Sequence, residues 1–217
     1  MRLELEILDW GAILGAGEGA ETLGAVADSS EIPTALRRRM PPFARETVRA
    51  CLRLMRQAPE SDLVLSSNYG DIAGAASLLS DLARAELLSP ATFSLSVHNA
   101  PAGLIGQSLG ARSSHTAIAA NGASLAAGLL DAYLRLASGD AKTVVVVATD
   151  LPAPDIYVQF DEDGPAAHLG LLLTLPNSTN ETSAKLLPGR NGVAQLARAL
   201  QGGARRVTIS ATEARTA

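Results

Sequence analysis

The chain has 217 residues, of which 47% are hydrophobic and 18% charged, enough apolar material for one large folded domain and too much for a disordered chain. A net charge of −4 excludes the strongly basic footprint of a dedicated nucleic-acid binder. One cysteine, Cys51, excludes an intramolecular disulfide framework and any multi-cysteine metal site, and fits a reducing cytoplasm.

The start alternates Leu3, Leu5 and Ile7 with Arg2, Glu4 and Glu6, the pattern of a half-buried strand over residues 2–8 and not of a signal peptide. "GAGEGA" follows, from Gly15 to Ala20. It matches dinucleotide-loop spacing, but no helix opens at it and no acidic residue follows a next strand, so it reads as a turn. "PPFARETVRACLRLMRQAPE" places Val48, Leu52 and Met55 at helical spacing between prolines, which predicts a helix from Phe43 to Gln57. Leu63 to Ser66 predicts a short buried strand, and Asp71 caps a helix through "IAGAASLLSDLARAELL".

A further helix is expected from Ala102 to Leu109, a strand from His115 to Ile118, and a helix from Ala123 to Ala137. "KTVVVVATD" is a fully buried strand of β-branched residues. "HLGLLLTLP" follows without an intervening helix and is expected to run antiparallel to a neighbour. The polar stretch Asn177 to Gly192 reads as an exposed loop, with a helix "GVAQLARALQG" and a strand "RRVTISA" in the tail. Alternating strands and helices give an α/β architecture. No stretch approaches the about 18 apolar residues of a membrane span.

Few residues offer chemistry. Cys51 sits within an apolar helix face and reads as a small hydrophobe. His98, His115 and His168 are far apart and lack metal-ligand spacing, so a hydrogen-bonded structural role is expected for each. Neither metal nor cofactor is indicated. Arg45, Arg49, Arg53 and Arg56 recur at helical spacing; a solvated face is the simpler reading, and docking of an acidic carrier protein is the functional one.

The stretch "LLSPATFSLSVHNAPAGLIGQSLGARSSHTAIAANGASLAAGLLDAYLRLASGDAKTVVVVATD", preceded by "SSNYGD" and followed by "GPAAHLGLLLTLP", resembles the N-terminal half of a β-ketoacyl synthase. More narrowly it resembles the short, chain-length-factor-like proteins of aryl polyene pathways, from about Asp62 to Pro176. The ending "GVAQLARALQGG" resembles the close of these short proteins, so a natural end is expected there. The resemblance implies a thiolase-like half: a mixed, largely parallel five-stranded sheet with helices on its faces. It places that domain at residues 1–176, with 177–217 as a linker and C-terminal helix and strand.

In catalytic relatives the turn from strand to helix carries a cysteine, whose thiolate takes the acyl group. Aligning the helix through "LDAYLRLASGD" puts that position at Gly122, or at Asn121 after a slip of one residue. No histidine motif such as "HGTGT" follows. The resemblance therefore implies a noncatalytic subunit, a chain length factor that pairs with an active ketosynthase in type II polyketide or fatty-acid-like synthesis. A carrier protein is a further candidate partner. His98, Asn99, Ala119, Asn121, Gly122 and Ser124 are the candidates for lining an acyl tunnel or interface. Two alternatives stand beside it: a small serine hydrolase or acyltransferase using Ser124 with His98 or His115, although "NGASLA" lacks the G-x-S-x-G elbow, and a purely structural homodimer.

Overall fold

The structure is a computed structural model that describes residues 2–110, 113–160, 164–177, 182–186 and 189–210. Its strands are β1 (Arg2–Leu14), β2 (Glu21–Gly24), β3 (Asp62–Ser66), β4 (His115–Ile118), β5 (Val144–Asp150), β6 (Ala167–Thr174), β7 (Ser183–Lys185) and β8 (Arg206–Ser210). Its helices are α1 (Thr34–Arg37), α2 (Pro42–Gln57), α3 (Ile72–Ala83), α4 (Pro90–Ser96), α5 (Ala100–Leu109), α6 (Ser124–Ser138) and α7 (Gly189–Gln201). All eight strands join one sheet, in the order β4-β3-β5-β6-β1-β8-β7, with β2 paired to β1.

The expected α/β layout is present, with more strands than the five anticipated. β3 runs parallel to β4 and β5, whereas β6 is antiparallel to β5, as expected, and also to β1. Beyond β1 the sheet continues through antiparallel β8 and the short parallel β7. The parallel character is therefore confined to the β4-β3-β5 end and the β7-β8 edge. Of the loop expected over residues 177–192, residues 178–181 and 187–188 lie outside the described residues, as do 211–217 of the tail. The expected tail helix and strand form α7 and β8, and both pack into the common core.

β5 explains the layering. Val144 and Val146 face one cluster with Leu129 and Leu136 of α6 and Leu196 and Leu200 of α7. Val145 and Val147 face the other, with Leu52 and Met55 of α2 and Ile105 of α5. A strand buried on both faces has no polar alternation to show, which is why its sequence reads as an unbroken apolar run.

Two glycines set how closely the helices approach. A Cβ on Gly170 of β6 would sit 2.3 Å from the Ala50 carbonyl oxygen of α2, and one on Gly128 of α6 would sit 3.0 Å from Ser66 Cβ. The first clash is with backbone and has no rotamer to relieve it. Gly170→Ala is therefore expected to lower folding stability by about 2–3 kcal/mol, a typical overpacking cost in a dense core. Urea denaturation checks it; an unchanged midpoint would show that α2 can lift off the sheet at little cost.

"GAGEGA" is a turn. Residues Gly17–Gly19 make a single 3-10 turn between β1 and β2, which pair back on each other. Among the described residues no α-helix opens from this loop, which leads into β2, so it does not form the loop-to-helix phosphate cradle. Among the described residues, no helix is long and apolar enough to cross a membrane.

Candidate functional site

The C-terminal ends of the parallel strands β3, β4 and β5 converge at one end of the sheet, the position where open α/β sheets carry their sites. Three chain segments meet there: the turn after β3 (Ser67 to Gly70), the turn after β4 (Ala119 to Ala123) and the end of β5 at Asp150. Asp150 is nearly buried and its carboxylate anchors the first of them. It accepts from Ser67 Oγ at 2.8 Å and from the Asn68 backbone N–H at 2.9 and 3.2 Å. Ser67 Oγ in turn accepts from Gly70 N–H at 2.8 Å.

The second turn is fastened to the first. Asn121 and Gly122 both lie in the left-handed region, at φ 36° and 77°, which suits asparagine and glycine best among residue types. Gly122 N–H donates to Asn68 Oδ1 at 2.9 Å, and Ser124 Oγ donates to the same oxygen. Ser124 Oγ also accepts from Ala120 N–H at 3.0 Å. His98, just before α5, donates from Nε2 to the Ser67 carbonyl at 3.0 Å.

Gly122, Asn121, Ser124 and His98 are thus brought to one end of the sheet, with Asn99 next to His98 at the start of α5. Ser124 has Asn68 and Ala120 as its partners, neither of them a base, and His98 is committed to a carbonyl. His115 begins β4, at the opposite end of that strand. A serine nucleophile needs a base within hydrogen-bond reach, so the hydrolase alternative has no support from this geometry. Cys51 is fully buried in α2, and burial pushes its thiol pKa well up; it is no nucleophile.

Sequence reasoning passed over Ser67, Asn68 and Asp150. Asp150 had a legible signal, a carboxylate closing an otherwise apolar central strand. Asn68 had none, since its partner Gly122 is 54 residues away.

The arginines on α2 are engaged within the chain. Arg45 donates to the Met40 carbonyl, Arg49 to the Ala27 carbonyl and Glu46, and Arg53 and Arg56 both pair with Glu31. Arg49, Arg53 and Arg56 thereby clamp the segment before α1 onto α2. Hydrogen bonding from Arg53, set against some desolvation, holds the Glu31 carboxyl below the usual carboxylate range.

The sheet edge next to the site is open. Among the described residues, β4 ends the strand order and pairs with β3 alone. A cleft of about 430 Å³ lies beside it, lined by Leu63, Ile105 and His115. Apolar side chains are also exposed on the mutually packed α3 and α4: Leu79, Leu82, Phe93 and, at the end of α4, Val97.

The sequence profile of the beta-ketoacyl synthase N-terminal domain matches residues 15–213. The chain belongs to that family. Its fold superposes on a chain of the ketosynthase ApeO in complex with its chain length factor ApeC from Xenorhabdus doucetiae, with TM-score 0.73, 24% identity and 92% of each chain covered. It also matches the ishigamide ketosynthase/chain length factor, with TM-score 0.63 and 13% identity over 82% of this chain and 63% of that one. A beta-ketoacyl synthase from Burkholderia phymatum STM815 matches with TM-score 0.59 and 12% identity, over 81% of this chain and 60% of that one. At these identities the shared property is the thiolase-like ketosynthase fold, and the chain spans about three fifths of the last two structures. No curated protein matches the sequence.

Proposed function

We propose that this β-ketoacyl synthase-like chain is a noncatalytic subunit, a chain length factor that pairs with an active ketosynthase in aryl polyene-type, type II polyketide synthesis. The observation that carries the reading is the turn before α6. Where a catalytic relative needs a nucleophile it has Gly122, and the groups hydrogen-bonded at that turn are hydroxyl, carboxamide and backbone, none of them a base. Condensation without a nucleophile and a proton-transfer partner has no route through these residues.

The β4 edge and, separately, the exposed leucines and Phe93 of α3 and α4 support pairing, because an unpaired edge strand and an exposed apolar surface each call for a covering partner. The structures it superposes on include a ketosynthase in complex with its chain length factor. On this reading His98, Asn99, Ala119, Asn121, Gly122 and Ser124 border the acyl chain or the partner. A carrier protein docking on α2 would have to compete with Glu31 and Glu46 for the arginines.

The test is co-expression with a full-length, active ketosynthase from the same organism. A stable complex that elongates acyl chains, next to a purified chain that makes no β-ketoacyl product, is the expected result. A soluble monomer that ignores the synthase, or steady product formation by the chain alone, overturns it.

A further inference from the structure

We infer that the Asn68 carboxamide is a built-in occupant of the acyl-oxygen position at the turn before α6, so that this site is closed by its own chain as well as stripped of a nucleophile. The inference rests on the reading of Gly122 as the nucleophile position. Asn121 and Gly122, both at positive φ, swing the chain from β4 into α6, whose first residue is Ser124. Gly122 stands in the turn, just before Ala123, the residue that caps the helix, and its N–H is given to a side chain from the turn after β3. In acyl-transfer sites such a donor meets the oxygen on which negative charge develops.

Here that donor is filled. Gly122 N–H points at Asn68 Oδ1 at 2.9 Å, and Ser124 Oγ–H points at the same oxygen. One carbonyl oxygen thus receives two converging donors, the arrangement an oxyanion hole offers to a substrate. Asn68 is held in place through its own backbone N–H, 2.9 Å from Asp150 Oδ1, and through Ser67 on the same carboxylate. Ser124 is oriented by Ala120 N–H. A thiol at position 122 would therefore stand next to donors that are already satisfied.

Two reactions of an installed thiol separate blocked donors from blocked access. Alkylation by iodoacetamide forms a bond from the installed sulfur to a CH2 carbon as iodide leaves, and builds no charge on a carbonyl oxygen. Acylation by the butyryl thioester of N-acetylcysteamine does build it. The installed thiol gives its proton to water and its sulfur adds to the carbonyl carbon, the tetrahedral oxyanion collapses, the bond to the N-acetylcysteamine sulfur breaks, and the released thiolate takes a proton from water.

Intact-mass kinetics on the full chain would compare Gly122→Cys with Gly122→Cys/Asn68→Ala and Gly122→Cys/Asn68→Asp. The parent chain, whose one thiol is the buried Cys51, sets the background. The ratio of acylation to alkylation rates is expected to rise by about 10- to 100-fold with Asn68→Ala, since one such donor is worth about 100-fold or more in established acyl-transfer sites. Asn68→Asp keeps the acceptor and should leave the ratio near that of Gly122→Cys alone. If Asn68→Ala does not fold, Asn68→Ser, whose hydroxyl stops short of Gly122 N–H, carries the same comparison. An unchanged ratio in a folded variant overturns the inference, as does a rise of both rates together. A changed ratio in a chain that forms no complex with the synthase would remove the pairing reading and leave this one standing. An unchanged ratio in a chain that does pair would do the reverse.

Discussion

Lowering the pH from 7 to 4 is expected to remove about 3 kcal/mol of folding stability through one residue, His168. Its ring lies in the core between β6 and α2, at 1% exposure. The Thr47 hydroxyl donates to the Phe43 carbonyl at 2.7 Å. Its single proton is thereby used, so the Thr149 hydroxyl must donate to Thr47 Oγ1, 2.8 Å away. Thr149 Oγ1 then accepts from His168 Nδ1–H at 2.6 Å. This proton count fixes the tautomer. Nε2 keeps its lone pair and has no partner among the described residues. Protonating it would place a cation and an unmatched N–H in the core. Burial first, and the nearby Arg49 guanidinium second, lower the His168 pKa from 6.5 to about 3.

The unfolded chain therefore binds this proton more readily than the folded one. Stability is full above about pH 6.5, falls as the pH drops below that value, and levels off below about 3, where the whole separation amounts to about 5 kcal/mol. Urea midpoints at pH 7 and pH 4 would show it. His168→Gln cannot titrate, so its profile should be flatter than that of the parent by about 3 kcal/mol over this interval, even if its stability at pH 7 is lower. Parallel profiles would place the acid sensitivity elsewhere.

Elements whose residues carry their own pattern were legible in the sequence. α2 and α6 have helical spacing and near-correct ends, and β5 is apolar throughout because both of its faces are covered. Legibility fails where a neighbour decides the structure. β1 was expected to end near residue 8 and runs on to Leu14; "WGAIL" shows no alternation because Gly11 to Leu14 are buried on both faces of the sheet. β2 and β7 are four and three residues long and exist through pairing alone. α4 was missed although it carries a start signal, Ser89 capping Thr92 N–H with Pro90 in the first turn.

The site divides in the same way. Gly122 is a candidate through resemblance to a family pattern. Asn68, which closes the turn, could be found only once the fold had joined the ends of β3 and β4. The arginine stripe was visible, and its partner Glu31, 22 to 25 residues earlier, was not.

Replacing Ala117 by proline is expected to abolish co-purification with the ketosynthase while the chain stays folded. In β4 the groups that reach β3 belong to alternate residues. Leu63 N–H donates to the Ser114 carbonyl and Ser67 N–H to the Ile118 carbonyl. Alternation along a strand then turns the N–H and C=O of His115 and Ala117 away from β3, out of the open edge. The Ala117 side chain packs against the α2–α5 cluster, so what this residue offers a partner is its backbone and not its methyl group. A proline there removes one outward N–H, breaks no bond to β3, and sits on an edge strand, where proline is tolerated. An acceptor in the partner left without its donor costs about 1–3 kcal/mol, about 5- to 150-fold in Kd, and the ring adds a steric block to edge pairing. Thr116→Pro is the matched control, because it strikes the β3-facing side and should lower the melting temperature of the chain itself. If the Ala117→Pro chain melts near the parent temperature and still elutes with the synthase on size exclusion, the partner does not add to β4, and the exposed α3–α4 surface becomes the face to test.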